Sequence, residues 1–147
     1  GGVVMARRFP LAGLLRLRHT QQDRAAATLA TANERVRDAA DARIAARRSL
    51  ADSEDAQPIQ DAATLSAVAA ARAATRGMLE ELDAVVQNRR ADADRAQQDY
   101  TAARRAAVGL EKLEGKHTEQ QAAEELRTEQ NALDEIAARR RTEGGAR

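Results

Sequence analysis

The fold class predicted for this chain is all-α: a two-helix antiparallel coiled-coil hairpin with a longer second helix overhanging the first. Three observations predict it. Leu15, Leu29, Val36 and Leu50 are separated by multiples of seven residues, and a second series, Leu11, Ala25, Ala32, Ala39 and Ala46, is offset from it by three or four. Such a repeat buries one seam of a helix against another helix. Composition is the second observation. Hydrophobic residues make up 43% of the chain, but alanine supplies most of them, and one Phe, one Tyr and no Trp leave a globular core without large side chains to fill it. Third, only Pro10 and Pro58 interrupt 147 residues, and Pro58 closes a polar stretch that reads as a turn.

Taken in order, residues 1–9 read as a flexible lead, with Gly1-Gly2-Val3-Val4 lying ahead of a natural start at Met5. Pro10 fits the first turn of a helix, where its missing N–H costs nothing. Helix one is expected over 10–53, roughly 44 residues and about 66 Å long. The turn spans 54–60. Helix two is expected over 61–141, with Asp61 or Thr64 at its start, as a rod of roughly 80 residues and about 120 Å. Arg139, Arg140 and Arg141 suit the negative pole of its dipole, and Gly144 and Gly145 end it, leaving 142–147 as a tail.

Helix two carries its own stripe: Leu79, Val86, Ala93, Tyr100 and Ala107, with the offset series Leu82, Arg89, Ala96, Ala103 and Leu110. Folding back about Pro58 sets Leu50 opposite the region of Leu65 and Leu15 opposite the region of Tyr100. Helix two then protrudes by roughly 35 residues, about 50 Å. Alanine at so many seam positions allows close approach but buries little area per residue, so stability must come from length. Past Leu110 the pattern loosens. Leu113, Leu126, Leu133 and Ile136 remain among Glu, Gln and Arg, and Gly109 and Gly115 each cost about 1 kcal/mol of helix propensity, which predicts a soft point near Gly115.

Charge and composition exclude several functions. Charged residues make up 32%, and 24 basic residues are interleaved with 23 acidic ones for a net charge of +1, unlike the basic face of a nucleic-acid binder. With no cysteine there is neither a disulfide framework nor a thiolate metal site. No run approaches a membrane span, and no secretory signal follows Met5, so a cytoplasmic protein is expected. No glycine-rich phosphate loop is present, so the chain is not expected to hydrolyse nucleotides or to be an enzyme, and no cofactor is expected. Glu124 and Glu125 are adjacent and do not face one another on a helix. His19 and His117 are far apart, and neither has the convergent neighbours a metal needs.

Three features have two readings each. Arg89 at a seam position either snorkels out or fixes register. Arg139–Arg140–Arg141 is either a helix terminus or a contact for an acidic partner or anionic surface. The stripe Met78, Leu79, Leu82, Val85 and Val86 is wider than a seam needs. It is either over-provision near the turn or a binding face.

The opening Phe9-Pro10-Leu11-Ala12-Gly13-Leu14-Leu15-Arg16-Leu17-Arg18 resembles the F-x-L-x-x-L-L-x-L-R start of the FliJ family. Leu110-Glu111-Lys112-Leu113 and Leu133-Asp134-Glu135-Ile136-Ala137 are similar to its closing L-x-x-L and L-D-E-I-A stretches. The likeness covers nearly the whole chain from Met5, with an alanine-rich departure over 55–75. It implies a non-enzymatic soluble component of the bacterial flagellar type III protein export apparatus, a coiled-coil stalk between the hexameric export ATPase and the cytoplasmic domain of the export gate, at the inner face of the cell membrane. It also implies contact with export chaperones. Carried onto this chain, the gate-binding residues would be Met78, Leu79, Leu82 and Val86. The ATPase-binding residues would be Arg16, Arg18, Arg127, Asp134, Glu135 and Arg139. The alternatives are a stalk of a related virulence-type secretion system and a structural homo-oligomeric coiled coil.

Overall fold

Two α-helices account for the computed structural model: α1 spans Ala12–Asp55 (44 residues) and α2 spans Ala62–Gly145 (84 residues). The structure describes residues 8–55 and 61–145, with the Asp55 side chain excepted; no strand occurs among them. The expected lead ahead of Arg8, the Pro58 turn and the last two residues lie outside the described residues. At 1.5 Å per residue the helices are about 66 Å and 126 Å long. The chain forms two compact units, one made of Gly1–Gln21 with Ala103–Arg147, here the terminal unit, and the other of Gln22–Ala102, the central unit.

In the central unit, the small residues of the stripes make the seam. Ala32, Ala93 and Ala96 form a buried cluster with Leu29 and Val36 packed against it, and Ala39 and Val86 are also buried. Arg43 Nη1 donates to Asp83 Oδ1 at 3.3 Å, with Arg47 Nη2 3.7 Å from the same oxygen, and Arg76 Nη2 lies 3.9 Å from Glu54 Oε1. These pairs run the helices antiparallel. They also correct the expected alignment. A fold about Pro58 that joins Leu15 to Tyr100 would put Arg43 opposite Arg72, yet Arg43 meets Asp83, roughly three helical turns further along. Leu50 therefore does not face Leu65, which is exposed. Since Glu54, beside the end of α1, pairs with Arg76, the first turns of α2 run past α1, and residues 62–67 and 69–71 are all exposed.

The start of α2 is fixed by Asp61. Its Oδ1 accepts the Thr64 N–H at 2.6 Å and its carbonyl accepts the Leu65 N–H at 3.0 Å, so Asp61 is the N-cap of a helix whose first amides would otherwise lack partners. The Thr64 side chain first, and then its backbone N–H, hold the Asp61 carboxyl below its ordinary value. A carboxylate with a lowered folded-state pKa stabilises above its unfolded value and loses that contribution as pH falls through the folded one. Asp61→Ala is expected to speed amide exchange at Thr64 and Leu65 at neutral pH. Asp61→Asn, which keeps a capping oxygen, is expected to hold those amides and to lose the acid dependence. Unchanged exchange in the alanine variant would mean that the cap does not hold this helix start.

In the terminal unit Leu15 and Ala107 are buried. His19 Nε2 and Glu111 Oε1 lie 2.7 Å apart, and the rings of Phe9 and His117 pack at 5.7 Å with a 49° tilt. A Leu15–Tyr100 alignment would set His19 opposite Ala96; its partner is Glu111 instead. Because Phe9, ahead of α1, already reaches His117, the α2 residues after His117 have no α1 residue opposite. The protruding length is thus about 28 residues, or about 42 Å, shorter than the expected 35. The helix continues without a break through Gly109 and Gly115, and a Cβ added at either would meet open space. Ala, Glu, Gln, Leu and Arg dominate the stretch that follows, and their helix propensity outweighs isolated glycines. Thr118, Thr128 and Thr142 each donate a side-chain hydrogen bond to the carbonyl four residues back, to Glu114, Glu124 and Ala138. The helix reaches Gly145, past the predicted end at 141.

Candidate functional site

Among the described residues no group of three or more His, Cys, Asp or Glu side chains is placed to hold a metal ion, and no helix is long and apolar enough to cross a membrane. What the fold offers instead is surface. Its two candidate surfaces belong to different units.

The first is the early part of α2 in the central unit. Met78 is 56% exposed, while Leu79 and Leu82 are half-buried. Val86 is fully buried, so it belongs to the seam and offers nothing to a partner. The reason is geometric: Val86 continues the seven-residue series of Leu79 and Ala93, and that series faces α1. Val85, one residue earlier, turns outward. The outward part of this stripe is therefore Met78 and Val85, with the edges of Leu79 and Leu82. Beyond it, Arg89 is half-buried and lines a shallow cleft with Thr28, Thr31, Arg35 and Asp92.

The second surface lies in the terminal unit. Arg16 is exposed and Arg18 donates to Gln21 at 3.1 Å on the outer side of α1. Arg127, Asp134, Glu135 and Arg139 are all exposed on the protruding part of α2, where every residue over 122–145 is exposed. Arg127 and Asp134, seven apart, share a face; Glu135 and Arg139, four apart, are neighbours on the helix surface. The protrusion also shows Leu126 and Leu133, each 66% exposed, and Ile136 at 48%. The structure does not gather Arg16 and Arg18 with Arg139. The pair His19–Glu111 places α1 beside the Glu111 region, and Arg139 lies 28 residues further along the rod, about 42 Å.

Periodicity could not reveal the pairs that set alignment. Asp83, Glu54, Arg76 and Glu111 lie off the repeats; Arg43 lies on one, seven residues from both Val36 and Leu50, but nothing in the repeat names its partner, and only contacts in three dimensions identify the pairs. The contact of Phe9 with His117 was similarly hidden, although His117 does fall at a seam position.

An alanine-lined helical hairpin whose longer arm presents charged and apolar side chains to solvent defines a coiled-coil protein. The family model described as flagellar FliJ protein matches residues 7–144, nearly the whole chain. This protein belongs to the FliJ family: it is a coiled-coil protein of flagellar protein export, in a family that is structural and chaperone-escorting rather than enzymatic. No curated relative and no solved structure matches the chain.

Proposed function

We propose that this protein is a non-enzymatic cytoplasmic stalk that links the hexameric flagellar export ATPase to the cytoplasmic domain of the export gate, at the inner face of the cell membrane. The observation that carries the reading is the protruding arm of α2, in which every residue over 122–145 is exposed on a continuous helix. A rigid helix can enter a ring as a shaft, and its charged sides suit a wet, adjustable contact better than a dry one. Family membership supplies the flagellar context. Arg127, Asp134, Glu135 and Arg139, with Arg16 and Arg18 nearer the hairpin, are the proposed ring contacts. Met78, with the exposed edges of Leu79 and Leu82, is the proposed gate contact. Export chaperones are further proposed partners.

Binding of the full chain to the export ATPase and to the gate's cytoplasmic domain from the same genome tests the assignment. Met78→Asp places a charge in an exposed apolar contact and is expected to weaken gate binding by about tenfold while leaving ATPase binding intact. Arg139→Glu is expected to do the reverse. Unaltered binding by both variants would discard the site assignment, and no binding of the unaltered protein to either partner would discard the stalk.

A further inference from the structure

The protruding arm carries a seam of its own that α1 does not use. Leu126, Glu129, Leu133, Ile136 and Arg140 recur at alternating steps of three and four residues, and the three apolar members are all exposed. Along one flank of this stripe run Glu125, Ala132 and Arg139; along the other run Ala123, Gln130 and Ala137. We propose that this surface is a self-association site, in which two copies of the chain pair antiparallel through their protruding arms about a two-fold axis beside Asn131.

Two independent features agree on that one alignment. The first is apolar. Centring the pair on Asn131 sets Leu126 of each copy against Ile136 of the other, and Leu133 against the aliphatic stem of Glu129. Arg140 meets the small Ala122, which leaves its guanidinium a route to water. The second is charge. The same alignment brings Glu125 of each copy beside Arg139 of the other, so the symmetric pair contains two opposite-charge contacts. Ala132 meets its own equivalent, as does Gln130, and Ala123 meets Ala137, so no flank carries like charges. A parallel pair has neither advantage. It stacks Glu129 on Glu129 and Arg140 on Arg140 in the seam and leaves Glu125 and Arg139 without an opposite charge. The antiparallel contact is isologous, so it closes at two copies and does not propagate.

About three heptads with two charged residues in the seam make a modest contact. Its Glu125–Arg139 pairs lie at the rim, so it is expected to weaken as salt rises. This inference goes beyond the stalk assignment and does not rest on it.

Sedimentation of the full chain tests the pairing. The unaltered protein is expected to shift from monomer to dimer with rising concentration below about 500 μM. Glu125→Arg and Arg139→Glu each replace two attractions by two repulsions. Each is expected to weaken dimerisation about tenfold or more on its own, with helicity unchanged because both positions are exposed. Mixed in equal amounts, the two variants restore both opposite-charge contacts and are expected to form a heterodimer; the double variant is expected to dimerise like the unaltered chain. Leu133→Asp, also exposed, is expected to abolish pairing in every combination. A monomer throughout this concentration range overturns the proposal. So does a mixture of the two single variants that fails to pair, because only the antiparallel alignment makes them complementary.

Discussion

Val86→Asp is expected to cost the central unit about 3 kcal/mol or more. Val86 is 0% exposed and lies in a seam otherwise made mainly of alanine, so a carboxylate there would be taken out of water. Urea unfolding followed by helicity reads the loss directly. Val86→Ala, which removes two methyl groups and leaves a small gap, is expected to cost about 2 kcal/mol. Val85→Asp, one residue away and facing solvent, is expected to stay within about 0.5 kcal/mol. The contrast also bears on partner binding. A Val86 variant that loses the proposed gate contact is expected to do so by loosening the hairpin, with helicity falling alongside, whereas Met78→Asp is expected to act at the surface with helicity intact. Equal unfolding curves for Val85→Asp and Val86→Asp would mean that the seam does not pass through Val86.

The second large effect is expected from adding volume. Ala107 has no exposed surface in the terminal unit. Helices meeting over alanine lie close together, and leucine there adds three carbon atoms with nowhere to go. Ala107→Leu is expected to destabilise by about 1–3 kcal/mol, because the helices must part or the side chain must leave its rotamer. Ala102→Leu, at an exposed position, is the control and is expected to be near neutral. Differential amide exchange around Leu15 and Ala107 would locate the damage in the terminal unit. A gain in stability for Ala107→Leu would show that the seam there holds unfilled space.

The heptad series identified the seam well and its alignment poorly, for related reasons. Among the described residues, Leu15, Ala32, Ala39, Val86, Ala93, Ala96 and Ala107 are the buried hydrophobic ones, and all seven belong to the repeats visible in the sequence. Facing requires only that a residue recur at the helical period, which one strand of letters records. Alignment depends on which residue of α1 meets which residue of α2, and an alanine seam scarcely distinguishes one heptad shift from the next. The discrimination comes from Arg43 with Asp83, Glu54 with Arg76 and His19 with Glu111, pairs of exposed or half-buried side chains; only Arg43 falls on a repeat, and the repeat does not say which residue of α2 it meets. Placing the fold at Pro58 therefore misplaced Leu50 and Leu15 by about three turns while leaving their burial faces right. The candidate surfaces show the same division. In the stripe Met78, Leu79, Leu82, Val85 and Val86, the repeat already turns Leu79, Leu82 and Val86 toward the seam and leaves Met78 and Val85 to the side, as the structure has them; it was the family resemblance that offered Val86 to a partner. On the protruding arm, Leu126, Leu133 and Ile136 were legible as apolar, and their freedom from α1 became visible only once Phe9 was found against His117.

A join between rods that hides so little oil from water has a thermal consequence. The heat capacity gained on melting scales with the apolar area uncovered, and five of the seven buried hydrophobic residues among the described ones are alanines, which uncover little each. The curve of stability against temperature is accordingly shallow, with neither the sharp optimum nor the steep cold-side decline of a leucine-filled globule. A part of this kind holds much the same grip across the range of temperatures in which a swimming cell lives.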